Sequence, residues 1–159
     1  MAMDRQTARP AGAVGAVVAD KEDCEERKPK MTPDELSERL LMFAVRIAKV
    51  VEELPDTPVG RHVAGQLLRA GTSPGPNYEE GCAAESKADF AHKLSIALKE
   101  LRESRFWLRF IVRAGLLPER RMTSIIDEAQ QLRLIIGKSV TTAKRRPGAR
   151  RAGRPDSLR

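Results

Sequence analysis

The sequence predicts an all-α protein that folds as an antiparallel, up-down four-helix bundle with a kinked second helix. Three observations lead to this fold class. Apolar residues recur every three or four positions in four long segments, which is the period of a helix that buries one face. Two of these segments begin with threonine followed by proline, a frequent start of a helix. No run of alternating apolar and polar residues indicates a strand.

The first predicted helix begins at Thr32, which can cap it, and at Pro33, which suits the first helical position. Glu35 completes a capping box with Thr32. Pro55 ends the helix because proline lacks the backbone donor that a further turn needs. The apolar face follows steps of four and three residues: Leu36, Leu40, Phe43, Ile47, Val50 and Leu54.

The second predicted helix begins at Thr57 and Pro58, again a cap followed by proline. Glycines and prolines within residues 71–76 predict a break or kink, since each proline removes a backbone donor. We expect the helix to resume at Asn77 and to continue to about Glu85. Its apolar face consists of Val59, Val63, Leu67 and Ala70.

The third and fourth predicted helices are longer. The third begins at Ser86 and ends near Ala114, where Gly115 is a typical C-terminal stop. The fourth covers about residues 118–143. Short connections make successive helices antiparallel neighbours. The apolar face of the third comprises Phe90, Leu94, Ala97, Leu101, Leu108, Ile111 and Val112, and that of the fourth Met122, Ile125, Ile126, Ala129, Leu132, Ile136 and Val140.

Charge and periodicity divide the chain into three parts. Residues 1–31 lack periodicity and are predicted to be a disordered leader, residues 32–146 form the bundle domain, and residues 147–159 form a disordered basic tail. Segment 144–159 holds seven basic residues and one acid, whereas segment 32–143 holds sixteen basic and fifteen acidic residues. The basicity is therefore concentrated at the C-terminus, where it favours polyanionic partners.

Catalytic and metal sites find little support in the sequence. Cys24 and Cys82 make neither a disulfide framework nor a metal set, and His62 and His92 lie 30 residues apart. We therefore expect a non-enzyme without metal or cofactor. No segment reaches the roughly 18 apolar residues of a membrane span, and the cysteine content fits a reducing cytoplasm, where we expect the protein to reside.

The third predicted helix carries a second apolar stripe, which lies on the side opposite Phe90 and Leu108. A helix that is apolar on two sides is buried on two sides. This stripe favours self-association, although it also fits a central helix that several neighbours cover within one bundle. Its residues are Ile96, Phe106, Trp107 and Phe110.

A third face of the same helix is basic. Arg102, Arg105, Arg109 and Arg113 follow steps of three, four and four residues and form one ridge. Guanidinium groups in such a register can follow a phosphate backbone. The alternative is a solvated face whose charges pair with neighbouring acids such as Glu103. Beyond the fourth helix, a further basic cluster that can bind nucleic acid is formed by Lys144, Arg145 and Arg146.

Three segments of the chain resemble a known bacterial family. They are Leu68 to Gly81 (LRAGTSPGPNYEEG), Ser86 to Phe90 with the pattern that follows to Leu108, and Ala114 to Pro118 (AGLLP). Together they resemble the four-helix-bundle proteins encoded by intervening sequences in large-subunit ribosomal RNA genes, also called S23 ribosomal proteins. The resemblance covers about residues 34–146. Pro74 and Pro76 depart from the family pattern, in which these positions are usually not proline.

The resemblance implies a four-helix bundle that assembles as a ring-like homopentamer, and it carries over no catalytic residue. The run Arg105 to Phe110 also resembles the accessory proteins of diversity-generating retroelements, which partner a reverse transcriptase and nucleic acid. We therefore expect a non-catalytic homo-oligomer that binds nucleic acid, in particular structured RNA, by charge and shape. The alternative is a protein-interaction scaffold or accessory subunit that docks a partner enzyme such as a reverse transcriptase.

Overall fold

The computed structural model describes residues 31–145, and all regular structure within that range is helical. The predicted four-helix bundle is confirmed. The second predicted helix is divided into two shorter helices, which together we call the second arm. Residues 1–30 of the predicted leader, Arg146 at the end of the predicted bundle domain and the whole predicted tail, residues 147–159, lie outside the described residues. The helices are α1 (Pro33–Glu52), α2 (Pro58–Thr72), α3 (Pro74–Cys82), α4 (Lys87–Arg113) and α5 (Glu119–Lys144).

The start of α1 follows the predicted capping box. The Thr32 hydroxyl accepts a hydrogen bond from the backbone N–H of Glu35 at 3.2 Å, and the Glu35 carboxylate accepts one from the N–H of Thr32 at 2.7 Å. Two backbone donors that the helix leaves free are thereby satisfied. Pro33 occupies the first turn, where no intrahelical donor is needed.

The interruption of the second arm is much shorter than predicted. Only Ser73 separates α2 from α3, and its backbone stays right-handed helical, at φ −71° and ψ −30°. The predicted break within residues 71–76 is confirmed at Ser73, but its extent is smaller, because Gly71 and Thr72 belong to α2 and the prolines belong to α3. Pro74 and Pro76 both lie in the first turn of α3, where a missing N–H breaks no intrahelical bond. The arm also ends at Cys82 and not near Glu85.

Ser86 caps α4 by accepting a hydrogen bond from the backbone N–H of Asp89 at 3.1 Å. The turn after α4 contains Gly115 with a φ of +65°. This left-handed conformation is strained for residues with a Cβ, so glycine is the natural terminator there. The predicted bounds of both long helices are confirmed to within one residue.

Each helix packs against its neighbours in sequence, and the bundle closes between α1 and α5. Helix α4 contacts α2, α3 and α5, whereas α1 and α4 lie diagonally across the bundle and do not meet. Two ion pairs connect α1 to α5. Arg39 donates two hydrogen bonds to the Glu128 carboxylate, at 2.6 and 2.8 Å, and Arg121 lies 2.5 Å from Glu53. As the position along α1 advances from Arg39 to Glu53, the partner on α5 moves back from Glu128 to Arg121, so the two helices are antiparallel.

One end of the bundle gathers the start of α1, the end of α3, the start of α4 and the end of α5. The Tyr78 hydroxyl donates a hydrogen bond to the carbonyl of Pro33 at 3.4 Å, and Lys93 lies 2.6 Å from Glu80. Lys87 and Lys144 line a common groove at this end. The first and last described residues therefore emerge on the same side of the domain.

The core contains most of the four predicted apolar faces, but the placement of Val59 on the buried face of α2 is wrong, because it lies in the first turn and is 50% exposed. Phe90 and Val112 are only partly buried, whereas Ala91 and Ser104 take buried positions on α4. The Ser104 hydroxyl is satisfied by donating to the carbonyl of Glu100 at 2.8 Å. No helix among residues 31–145 is long and apolar enough to cross a membrane.

Two glycines allow the second arm to pack closely on its neighbours. A Cβ built on Gly71 would lie 2.6 to 3.0 Å from three carbons of the buried Ile47 side chain on α1. A Cβ on Gly81 would lie 2.8 Å from a methyl carbon of Leu94 on α4. Both distances are below van der Waals contact, so α2 and α3 approach as closely as they do only because these positions have no side chain.

Replacement of Gly71 by alanine should destabilise the bundle by about 1–3 kcal/mol, the usual cost of overpacking a core. Gly65, on the same helix, is the matched control, since a Cβ there meets nothing within 4 Å. Gly65→Ala should stabilise the protein by about 0.5–1 kcal/mol because alanine lowers the entropic cost of forming a helix. Urea unfolding followed by circular dichroism, at one fixed protein concentration, measures both. A Gly71→Ala protein as stable as wild type would contradict the close approach.

Candidate nucleic-acid interface

The four arginines of the predicted ridge lie on the outward side of α4. Arg102, Arg109 and Arg113 are exposed, and Arg105 is partly buried. We call these four residues the arginine ridge. The Nε of Arg105 is buried without a hydrogen-bond partner among the described residues. No arginine of the ridge lies within 4.0 Å of a carboxylate of residues 31–145.

The ridge makes no ion pair with the described helices because two of the carboxylates on α4 are turned towards α2. Arg69 of α2 lies 2.6 Å from Glu103 and 3.8 Å from Glu100. The indole N–H of Trp107 also donates to Glu103, at 3.5 Å. Glu103 therefore pairs with Arg69 and not with the ridge, whereas the other part of the alternative interpretation, a solvated face, agrees with the exposure of three of the four arginines. Arg69 carries no functional role in the sequence pattern, and only the packing of α2 against α4 reveals its partners.

Further basic residues extend the ridge towards the start of α4. Lys99 lies three residues before Arg102, and Lys87 lies about four helical turns before it. Both are exposed. From Lys87 to Arg113 the face measures about 39 Å at a rise of about 1.5 Å per residue. Helix α4 as a whole has seven basic residues and three acids.

A groove of about 560 Å³ lies at the end of the bundle where α4 begins and α5 ends. We call it the end groove. No carboxylate is among its lining residues, and its basic groups come from two helices. Lys144 and Arg145, predicted from the sequence to bind nucleic acid, are part of it; Arg146 lies outside the described residues. The lining consists of Lys87, Ala88, Ala91, His92, Ser95, Ala143, Lys144 and Arg145.

Sequence reasoning missed Lys87, His92 and Lys99. The signal for Lys99 was present, since it extends the ridge by one helical step. Lys87 and His92 become part of the end groove because the antiparallel pairing of α4 with α5 brings them beside Lys144 and Arg145. Helical spacing within a single segment does not predict such a meeting.

The second apolar stripe of α4 is divided between core and surface. Trp107 and Phe110 pack partly against the core, and Ile96 is partly buried. Phe106 remains 58% exposed. Trp107 contacts both phenylalanines edge-to-face, with ring centroids 5.1 Å from Phe106 and 5.7 Å from Phe110, and it contacts His62 of α2 at 5.8 Å. Part of the stripe thus serves the packing of α4 within its own bundle.

A small cleft of about 240 Å³ combines the aromatic and basic residues of α4. Phe106 and Phe110 form one side, and Arg109 and Arg113 form the other. We call it the aromatic cleft. All four side chains come from two successive turns of one helix, so the cleft is fixed by local helical geometry.

A second apolar surface, which sequence reasoning also missed, lies on α1 and α2. We call it the α1–α2 surface. Leu41 lines a groove of about 410 Å³ together with Thr72, Gly75 and Pro76. Because α1 and α4 are diagonal, this surface faces away from the arginine ridge. Its large exposed residues, whose side chains are 40% to 55% exposed, are Leu41, Met42, Val45 and Leu68.

Catalytic groups do not converge in the part of the chain that the structure describes. Residues 31–145 contain no group of three or more His, Cys, Asp or Glu side chains that could hold a metal ion. Burial raises the pKa of the Tyr78 hydroxyl above its usual range, so it stays protonated and acts as a donor to the α1 carbonyl. Its role is to hold α3 against the start of α1.

An all-helical bundle with a long basic face is thus the class of protein that fold and surface define. The chain belongs to the family of 23S rRNA-intervening sequence proteins, whose model matches residues 35–138. It is similar to a protein of unknown function from the S23 ribosomal protein family of Bacteroides thetaiotaomicron, with 32% identity and a TM-score of 0.62. The similarity covers 66% of this chain and 97% of that one. No curated protein matches significantly.

Substitutions should separate arginines that stabilise the fold from arginines that do not. Arg69→Gln should lower the free energy of unfolding by about 1 kcal/mol, because it leaves two neighbouring carboxylates without a counter-charge. Arg102→Gln and Arg109→Gln should each stay within about 0.5 kcal/mol of wild type, since neither residue has an ion-pair partner to lose in the part of the chain that the structure describes. Chemical unfolding measures all three. A clear loss of stability in the ridge variants would assign the ridge a structural role.

Proposed function

We propose that the protein is a non-catalytic homo-oligomer that binds nucleic acid, in particular structured RNA, along the outward face of α4. The observation that carries this proposal is the arginine ridge, which has no partner carboxylate among residues 31–145. Exposed arginines that no carboxylate of the described helices neutralises are available to phosphate groups, which they bind bidentately. The family description, which concerns 23S rRNA, supports RNA as the nucleic acid.

The basic face supports a contact longer than the ridge alone. Lys99 continues the ridge, and Lys87 leads into the end groove. The basic segment 144–159 begins at that groove. A phosphate backbone that follows α4 would therefore meet positive charge along the ridge and at Lys99, and again at Lys87, Lys144 and Arg145 in the end groove.

Recognition along this face should depend on charge and shape more than on base sequence. Helix α4 contains no Asn or Gln, the residues that pair bidentately with adenine. Contacts to phosphate position a protein on nucleic acid without reading its sequence. We therefore expect similar affinities for RNAs that share a shape and differ in sequence.

Self-association is supported by the α1–α2 surface. Several large apolar side chains remain exposed there beside a groove, and such patches commonly mark contacts between proteins. A contact between two different surfaces of the same chain can close into a ring. The resemblance described above implies five subunits. Oligomerisation through α1 and α2 would leave the basic face of α4 free.

A second candidate function is favoured by the same surface. The groove beside Leu41 could accept an apolar helix of a partner protein, which would make this chain a scaffold or accessory subunit. A reverse transcriptase is one such partner enzyme. Under this alternative the protein would remain a monomer or small oligomer until the partner binds, and nucleic acid would bind to the partner.

Neutralising the ridge should weaken nucleic-acid binding and reduce its salt dependence. In the variant Arg102→Gln/Arg109→Gln, the slope of log affinity against log salt should fall by about 0.7–0.9 for each phosphate that the protein no longer neutralises. Lys144→Gln/Arg145→Gln should act in the same direction if the strand reaches the end groove. Fluorescence anisotropy with labelled RNA and DNA over a salt series measures both effects.

The matched control is Arg61→Gln/Arg121→Gln, which removes the same charge from residues already paired with Asp56 and Glu53. It should bind as wild type does. If all three double variants lose affinity equally, net charge and not the face of α4 governs binding. If wild-type protein binds no nucleic acid even at low salt, the scaffold function replaces this proposal.

Charge introduced into the α1–α2 surface should dissociate the oligomer. Leu41→Glu/Val45→Glu places two carboxylates where we expect apolar contact, and the mass measured by light scattering should fall while helicity is retained. Phe106→Glu is the comparison on α4. If only the α4 variant lowers the mass, the interface is the sequence-predicted stripe of Ile96, Phe106, Trp107 and Phe110.

A further inference from the structure

Phe106 is a large apolar ring on the most basic face of the bundle. It is 58% exposed, whereas the neighbouring Trp107 and Phe110 turn partly into the core. Arg109 and Arg113 lie beside it across the aromatic cleft. An exposed phenylalanine contributes little to the stability of its own domain. Its position next to two arginines that pair with no carboxylate of residues 31–145 favours a ligand with both apolar and anionic parts.

The ring is held in place from one side. Trp107 contacts Phe106 at 5.1 Å with an interplanar angle of 80°, and Trp107 is itself fixed by Phe110 and by His62. The contact is edge-to-face and not stacked, so no protein ring covers Phe106 in parallel. A ring with few rotatable bonds that is already supported loses little freedom when a planar group stacks on it.

We propose that the aromatic cleft binds an unpaired nucleotide, whose base stacks on Phe106 and whose flanking phosphates contact Arg109 and Arg113. This inference rests on the proposed function and specifies the part of the nucleic acid that α4 recognises. Within a duplex the faces of the bases are covered by their neighbours, so a protein ring stacks only on a base that is already unstacked. The ligand is therefore a loop, a bulge or a single-stranded end.

Charge favours this occupant over a second copy of the chain. A two-fold contact between two copies through this cleft would remove Arg109 and Arg113 from water and face them with the same arginines of the other copy, and no carboxylate of residues 31–145 in the same chain lies within 4.0 Å to compensate them. Burying charge without compensation is costly. A nucleotide brings its own phosphates and a planar apolar surface, and both match the cleft.

The test compares a single-stranded RNA with a duplex of the same length and sequence, using the full-length protein. Phe106→Ala should weaken binding of the single strand by about 5- to 150-fold, the range spanned by the stacking of one base, and leave duplex binding unchanged. Phe106→Tyr should restore single-strand binding because tyrosine also stacks. Leu134→Ala is the control, since Leu134 on α5 is an equally exposed apolar residue, at 56%. It should change neither affinity.

Two further readouts make each outcome decisive. A strand carrying 2-aminopurine should lose fluorescence on binding wild type and Phe106→Tyr but not Phe106→Ala, as stacking quenches this base. Light scattering on the same samples should show unchanged mass. Equal loss of single-strand and duplex binding together with a lower mass would make Phe106 a subunit contact and overturn the inference. If Phe106→Ala binds the single strand as tightly as wild type does, the stacking inference is overturned and the proposed function is not. If wild type binds neither RNA, the proposed function itself is overturned.

Discussion

The close approach of α2 to α1 at Gly71 is the constraint on which the candidate site depends. Gly71 packs directly against the Ile47 side chain, and it lies two residues after Arg69 on the same helix. Fixing α2 at this depth places the Arg69 guanidinium within reach of the α4 carboxylates. A substitution at a buried glycine would therefore act on the surface of a helix it does not touch.

The electrostatics of α4 follow from this one placement. Arg69 is the cation nearest to Glu103, so the arginine ridge keeps its charge although α4 carries three acids. If α4 had the same composition but no Arg69 opposite it, Glu103 would be free to pair with an arginine of α4, which would lower the charge of the ridge. The charge of the face is thus set by a neighbouring helix as much as by α4 itself.

Local patterns in the sequence predict the helices and their buried faces. The features that these patterns do not predict arise from contacts between helices. The capping box at Thr32 and the periodic apolar faces are properties of single segments, and the helices follow them. The break at Ser73 was overestimated because prolines in the first turn of a helix resemble prolines that end one. The partners of Arg69, the end groove and the α1–α2 surface depend on which helices become neighbours, which periodicity within one helix does not encode.

The seam between α1 and α5 also shapes how the chain folds. Most packing joins helices that follow one another, and such local contacts form fast because they close short loops. Arg39 and Glu128 are 89 residues apart, so their seam closes the longest loop in the domain. Folding from α2 through α5 can therefore proceed before α1 is seated against α5. In a nascent chain, α1 leaves the ribosome before the other four helices, so its contact with α5 is the last of its contacts that can form.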